Sequence, residues 1–335
     1  MTIRHISRRG ALQFFGAAGL AATMPFDGLL ARGARDGGLT FLGVGDWGRD
    51  GGNHQREVAG QMARVADGNG ARFIISVGDN FYESGVTGID DPAWQSSFER
   101  VYDAPSLQLP WRVALGNHDY IGNAQAQIDY SAKSDRWHLP SRWYDFTERA
   151  PDGATAQFFV IDTSPMLDQY YEDGAKKVKV ADQRANVPVQ VAWLDRELAR
   201  STADWKIVIG HHPVYTGKAD GADAKAEPEH RHGGNPELIA AIDPLIQRHG
   251  VALYLNGHDH DLQHVLHGDT HYICTGAGSL TNERCFLGES DFCSLESGFV
   301  SCRLDLHTLR VTYIDYRGRP LNVVDIPARR LATSA

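Results

Sequence analysis

Phe73-Ile74-Ile75-Ser76-Val77-Gly78-Asp79-Asn80-Phe81-Tyr82 runs from a mostly apolar pentapeptide into a glycine, a carboxylate and a phenol. A short apolar run bounded by glycine reads as a buried strand, and the polar residues after the glycine as the loop into which that strand opens. Four more stretches have the same grammar. Phe41-Leu42-Gly43-Val44-Gly45 ends in Asp46, and Trp111 to Gly116 ends in Asn117-His118-Asp119. Trp205 to Gly210 ends in His211-His212, and Val251 to Gly257 ends in His258-Asp259-His260. Five strands that each deliver oxygen or imidazole donors beyond a glycine describe one site at the strand ends of an α/β protein, where the loops of such sheets converge.

The chain of 335 residues is 42% hydrophobic, enough for a sizeable core, and carries a formal charge of −9. Its basic residues are scattered, which argues against nucleic acid as a partner. A net negative enzyme still binds an anionic substrate when metal ions dominate the local field. Arg4, Arg8 and Arg9 precede an apolar stretch from Ala11 to Met24, and Ser7-Arg8-Arg9 resembles a bacterial twin-arginine export signal. The stretch is shorter than the ~18 residues of a spanning helix. Residues 1–34 are therefore expected to be a removed signal, cut near Ala31 to Ala34 after engaging the twin-arginine translocation machinery. Residues 35–335 are then a single catalytic domain, periplasmic or secreted, with no membrane association once the signal is gone; the sequence leaves its oligomeric state open, with a monomer favoured.

Along that domain the pattern predicts strands at 39–44, 73–77, 113–115, 157–161, 206–209 and 251–255. Helices are expected at 53–67, from Asp91-Pro92 to Val101, at 124–132, 189–200 and 236–249. Residues 166–188 and 217–234 read as long polar loops. From residue 263 onward the pattern changes to short antiparallel strands, at 263–267, 270–274, 298–306, 309–315 and 321–326. The expected fold class is mixed α/β: two packed mixed sheets flanked by helices in a four-layer sandwich, with an antiparallel C-terminal part.

The donors sort by charge. Asp46, Asp79 and Tyr82 become anionic on binding a cation, whereas Asn117, His211 and His258 stay neutral, and His260 lies within reach of the same site as His258. If Asp79 bridges two metals about 3.5–4 Å apart, one ion sees an anionic set suited to a trivalent metal. The other sees a mainly neutral set suited to a divalent one. A phenol that must ionise far below its usual pKa near 10 points to Fe(III).

Asp46-Trp47-Gly48, Gly78 to Tyr82, Gly116 to Asp119, Val208-Ile209-Gly210-His211 and Gly257 to His260 resemble the five blocks of the purple acid phosphatases, within the calcineurin-like metallophosphoesterases. Phe81 to Val86, Leu109-Pro110-Trp111 and Ala126 to Ser131 are similar to the small, mammalian-type tartrate-resistant members, and the resemblance spans roughly residues 38–327. It implies Asp46, Asp79, Tyr82 and His260 on Fe(III), and Asp79, Asn117, His211 and His258 on a divalent ion (Fe, Zn or Mn). It further implies phosphate binding by Asn117 and His118, with His118 as proton donor to the leaving group and Asp119 orienting it. A second active-site histidine is expected at His230 or His232, with His232 preferred. His212 is expected to pack behind the site, and Asn80 to serve as a turn residue.

The function expected is hydrolysis of small phosphomonoesters by attack of a metal-bound hydroxide. Rivals are a phosphodiesterase or nucleotide hydrolase on the same site and, from another class, a non-catalytic metal- or phosphate-binding protein. A serine hydrolase has no Gly-x-Ser-x-Gly block to rest on. Cys274, Cys285, Cys293 and Cys302 contain no Cys-x-x-Cys pair, so structural zinc is not indicated. An exported chain permits disulfides, and Cys285–Cys293 with Cys274–Cys302 is the favoured pairing against four free thiols.

Overall fold

The computed structural model describes residues 37–172, 177–217, 234–282, 288 and 290–329. The expected signal at 1–34, His230, His232 and Cys285 lie outside the described residues. In chain order the first strands are β1 (Leu39–Val44), β2 (Ile74–Ser76), β3 (Trp111–Val113), β4 (Trp137–His138), β5 (Tyr144–Arg149), β6 (Thr155–Val160) and β7 (Trp205–Ile209). They are followed by β8 (Leu253–Asn256), β9 (Leu262–His267), β10 (Thr270–Thr275), β11 (Phe292–Ser294), β12 (Gly298–Leu304), β13 (Thr308–Asp315) and β14 (Pro320–Pro327). They form two seven-stranded sheets, ordered β14-β13-β12-β1-β2-β3-β4 and β11-β9-β10-β8-β7-β6-β5.

Each sheet has a parallel centre and antiparallel flanks. β1, β2 and β3 run parallel, with Leu42 opposite Ile74 and Ile74 opposite Trp111. In the other sheet β6, β7, β8 and β10 are successively parallel. Such a centre is buried on both faces and therefore reads as continuous apolar sequence; β1 is buried along its whole length. Phe41 of β1 meets Phe158 of β6 edge-on, 5.3 Å between ring centroids, and Phe73 meets the same ring at 5.4 Å. The sheets thus pack face to face, as expected, with helices flanking them.

Helix α1 (Gln55–Asn69) buries Val58, Met62 and Val65, at helical spacing. Asp91 caps the next segment, its Oδ1 accepting the Ala93 N–H at 2.9 Å. The segment is a wide turn over Trp94–Glu99 in which the Arg100 N–H reaches Gln95 O. Trp94 and Phe98 still face inward, joining Trp47, Trp111 and Trp137 in one aromatic cluster. α2 (Asn117–Ile121), α3 (Ala124–Tyr130) and α4 (Val187–Arg200) follow. The helix expected over 236–249 is two, α5 (Pro236–Ala241) and α6 (Asp243–Arg248). Pro244 has no N–H to continue the first. The polar loop expected at 166–188 is instead packed where described: Leu167, Tyr170, Val178 and Val180 are buried. Among the described residues no helix is long and apolar enough to cross a membrane.

One cysteine pairing is corrected. Cys274 and Cys302 are both buried free thiols. They sit on β10 and β12, in opposite sheets, and facing sheets pack about 10 Å apart, beyond the reach of a disulfide. The Cys274 thiol instead lies 3.2 Å from Asp259 O. Cys293 is disulfide-bonded, and Cys285, the partner expected for it, lies outside the described residues. Thiol titration of the unfolded, unreduced chain should find two reactive thiols, the two free cysteines, and four after reduction.

Candidate metal centre

The ends of β1, β2 and β3 meet the ends of β7 and β8 because backbone bonds tie the two sheets together there. Gly45 N–H donates to Thr275 O at 2.9 Å and Gly278 N–H to Gly45 O at 3.0 Å, while Ser279 Oγ donates to Asp46 O at 2.6 Å. Asp46, Asp79 and His258 all have left-handed backbones, with φ of 59°, 48° and 68°. This conformation is costly for most side chains and clusters where function demands it. Gly116 is required by close approach: a Cβ there would lie 2.2 Å from Asp79 Oδ1.

All seven predicted ligands converge. Tyr82 OH lies 2.9 Å from each of Asp46 Oδ1, Asp79 Oδ2 and His260 Nε2. His260 Nε2 is 3.4 Å from Asp46 Oδ1. On the other side His211 Nε2 is 3.4 Å from Asp79 Oδ2 and 3.2 Å from Asn117 Oδ1. His258, whose N–H donates to Asp46 Oδ2 at 3.1 Å, brings its ring centroid to 5.2 Å from that of His211. Asp46, Asp79 and His211 each offer a donor atom within 4.8 Å of one another, as do His211, His212 and His258.

The donor set fits cations better than protons. One phenolic proton faces two buried carboxylate oxygens and an imidazole nitrogen, and it can satisfy only one of these three contacts. Burial pushes the Tyr82 phenol well up, and the charges of Asp46 and Asp79 push it further. Only a strong cation reverses that. Burial disfavours the Asp79 carboxylate, but His211 and His118 outweigh it and hold its pKa well below the usual range. Nδ1 of His211 lies 3.0 Å from Val77 O. A carbonyl only accepts, so Nδ1 carries a proton and Nε2 is the nitrogen turned to Asp79 and Asn117, the arrangement that usually supports a metal-bound histidine.

His212 belongs to the second donor group by distance but not by chemistry. Its Nδ1 is 2.8 Å from Thr163 Oγ1 and its Nε2 2.7 Å from Tyr170 OH. Both nitrogens are engaged, so it packs behind the site, clamped between Thr163 and Tyr170, the latter from the supposed polar loop. His118 is buried beside the cluster. Its N–H donates to Asp79 Oδ1 at 2.8 Å, and its Nδ1 lies 2.7 Å from Glu83 O. Here too the carbonyl fixes a proton on Nδ1.

Asp119 has a different task from the one expected. The ring nitrogen of His118 that needs orienting is held by Glu83 O, and the Asp119 carboxylate turns away into the protein. It accepts the Gly116 N–H at 2.8 Å, the Asn80 N–H at 3.0 Å, the Asn80 amide at 3.1 Å and the Gln127 amide at 2.7 Å. Burial, then the nearby Asp79 charge, raises its pKa to about 7; a cation on Asp79 would cancel the second cause. Asn80 is equally more than a turn residue: its Oδ1 accepts from Ser76 Oγ, whose oxygen in turn accepts the Trp47 indole N–H at 2.8 Å. This buried chain welds the loops after β2 and β3. Asn80 and Gln127 lie within the sequence motifs, but only long-range contact shows what they do.

Residues 39–262 match the calcineurin-like phosphoesterase family, the class that this fold and donor cluster define. Purple acid phosphatase 4 of Arabidopsis thaliana is 33% identical over 304 residues, covering 87% of this chain and 84% of the relative. Tartrate-resistant acid phosphatase type 5 of Oryctolagus cuniculus is 34% identical over 315 residues, covering 88% and 92%. The solved structure described as "GAP50 the anchor in the inner membrane complex of Plasmodium" shares the fold, with a TM-score of 0.72 at 24% identity over 89% of this chain and 91% of that one. The chain belongs to the purple acid phosphatases.

Replacing Asp119 with Ala strands three buried donors, the Gly116 N–H, the Asn80 N–H and the Gln127 amide, while the Asn80 amide keeps Ala114 O and Gln127 Oε1; it should lower stability by about 3–5 kcal/mol, read from the urea midpoint at unchanged m-value. A variant of native stability that lost only turnover would instead support the orienting role.

Proposed function

We propose that this chain is a binuclear-metal acid phosphatase acting on small phosphomonoesters, with Asp46, Asp79, Tyr82 and His260 on Fe(III). Asp79, Asn117, His211 and His258 then hold a divalent ion (Fe, Zn or Mn). The observation that carries the reading is a single oxygen, Asp79 Oδ2, 2.9 Å from Tyr82 OH on one side and 3.4 Å from His211 Nε2 on the other. One carboxylate thereby belongs to both donor sets, as a shared bridge requires.

When bound, the cation pair supplies Lewis-acid charge to the phosphate oxygens and an acidified water. The protein's own groups do the rest. Glu83 O fixes the tautomer of His118, whose Nε2 delivers a proton to the leaving oxygen. The Asn117 amide, held against His211, helps seat the phosphate. Asp119 keeps the Gly116–His118 turn in register, so its contribution is to geometry. His232 is proposed as a second phosphate contact, on the family resemblance of its position. Residues 1–34 are proposed to direct periplasmic or secreted localisation, supported by Arg8-Arg9 ahead of an apolar stretch.

Metal-loaded mature protein should release phosphate from an aryl monoester faster than from the matching diester, with an acidic optimum. Diester preference would move the function to the phosphodiesterase reading, and no turnover with both metals bound would favour a binding protein. His118→Asn should slow an unactivated alkyl ester by about 100-fold or more and an activated aryl ester far less. Equal slowing of both would remove the acid role.

The export reading has its own test. Arg8→Lys with Arg9→Lys should leave the full-length precursor in the cytoplasm on cell fractionation; undiminished export would count against a twin-arginine signal.

A further inference from the structure

The phenol at the centre of the anionic cluster is held on its ring as well as through its oxygen. The Arg49 guanidinium carbon lies 3.7 Å from the Tyr82 ring centroid. The His118 ring is 4.6 Å from the same centroid. Arg49 also pairs through Nη1 with Glu83 Oε1, and its side chain is only 10% exposed against 68% for that of Glu83. Its Nε is buried with no hydrogen-bond partner, as suits a group whose charge is turned to an aromatic face.

The backbone that carries Arg49 is fixed at both ends of this contact. Its N–H donates to Gln55 Oε1 at 3.0 Å, and the Gln55 amide donates to Ser97 O at 2.7 Å. The Tyr82 N–H donates to Gly48 O at 2.8 Å, so the Arg49 and Tyr82 segments are in direct register. Glu83 serves twice: its carboxylate holds Arg49, and its carbonyl holds His118 Nδ1.

We propose that Arg49 is a positioning residue that holds the Tyr82 ring and offsets the charge its phenolate carries when bound to Fe(III). The inference rests on the assignment of Tyr82 as an iron ligand. A guanidinium over an aromatic face attracts the electron-rich ring, and more strongly when water is excluded. An ionised ring is more electron-rich still. Because the cation sits on the face, it leaves the phenolate oxygen to the metal. Its field also lowers the energy of the donor orbital from which light moves an electron to Fe(III). The phenolate-to-iron absorption band is therefore set to higher energy by Arg49.

The test is the visible spectrum of the iron-loaded holoenzyme beside Arg49→Met, Arg49→Lys and Glu83→Gln, with iron content and thermal unfolding measured on each. Arg49→Met with full iron should absorb at longer wavelength than the wild type. Arg49→Lys, which keeps the charge but not the flat stacking, should lie between them. Glu83→Gln, which removes the anchor of Arg49, should shift the same way by less. If Arg49→Met does not fold, the Glu83→Gln spectrum decides: an unmoved band overturns the proposal. A full-iron Arg49→Met enzyme with the wild-type band, changed only in KM, overturns it as well, because Arg49 would then act on substrate alone. A fully iron-loaded wild type with no such band overturns the Tyr82 assignment itself, a failure distinct from the other two.

Discussion

Two buried carboxylates and a phenol within hydrogen-bond distance of one another are the constraint on which the rest of this protein turns. Asp46, Asp79 and Tyr82 share one phenolic proton among several lone pairs, with His260 at the edge. Such a cluster repels itself in a medium of low polarisability. It persists because the backbone is committed to it: the Asp46, Asp79 and His258 conformations are left-handed, and Gly116 is stripped of a side chain to admit the Asp79 carboxylate. The welded chain Trp47–Ser76–Asn80–Asp119–Gln127 then fixes the loops from beneath. Strain and repulsion of this kind are features of a site built for cations, in which local stability yields to function.

The aromatic cluster under these loops supplies the rigidity. Trp47 follows the donor Asp46 directly and packs edge-on against Phe81 at 5.5 Å, while Phe81 precedes the donor Tyr82. Donor and core residue alternate along the chain, so a donor cannot move without disturbing interlocked rings. Interiors packed to crystal-like density resist such displacement. This is how loops, normally the mobile part of a fold, present donors with the fixed geometry of strands.

Much of this was legible from sequence because parallel central strands are buried on both faces and end at glycines. The runs before Asp46, Asp79, Asn117, His211 and His258 announced both the sheet centres and the site. Less legible were the edges. β4 is two residues long, and β5 has only Tyr144 and Phe146 as apolar members, so neither produces a clear period. The packing of Tyr170 against His212, 42 residues away, and the role of Asp119 depend on which segments the fold brings together. No local pattern encodes that. The Cys274–Cys302 pairing failed for a related reason: nearness in sequence and shared strand character did not reveal that the two strands lie in opposite sheets.

The division of donors between two sheets also dictates an order of events. Asp46 and Asp79 arrive with the first sheet, His211 and His258 with the second, and the bond from His258 N–H to Asp46 spans 212 residues of chain. Contacts so distant in sequence form late, after the entropy of closing the intervening chain has been met. Neither half of the polypeptide alone offers a complete binding set. Metal capture is therefore a reporter of finished folding: the centre cannot mature on a nascent or half-folded chain.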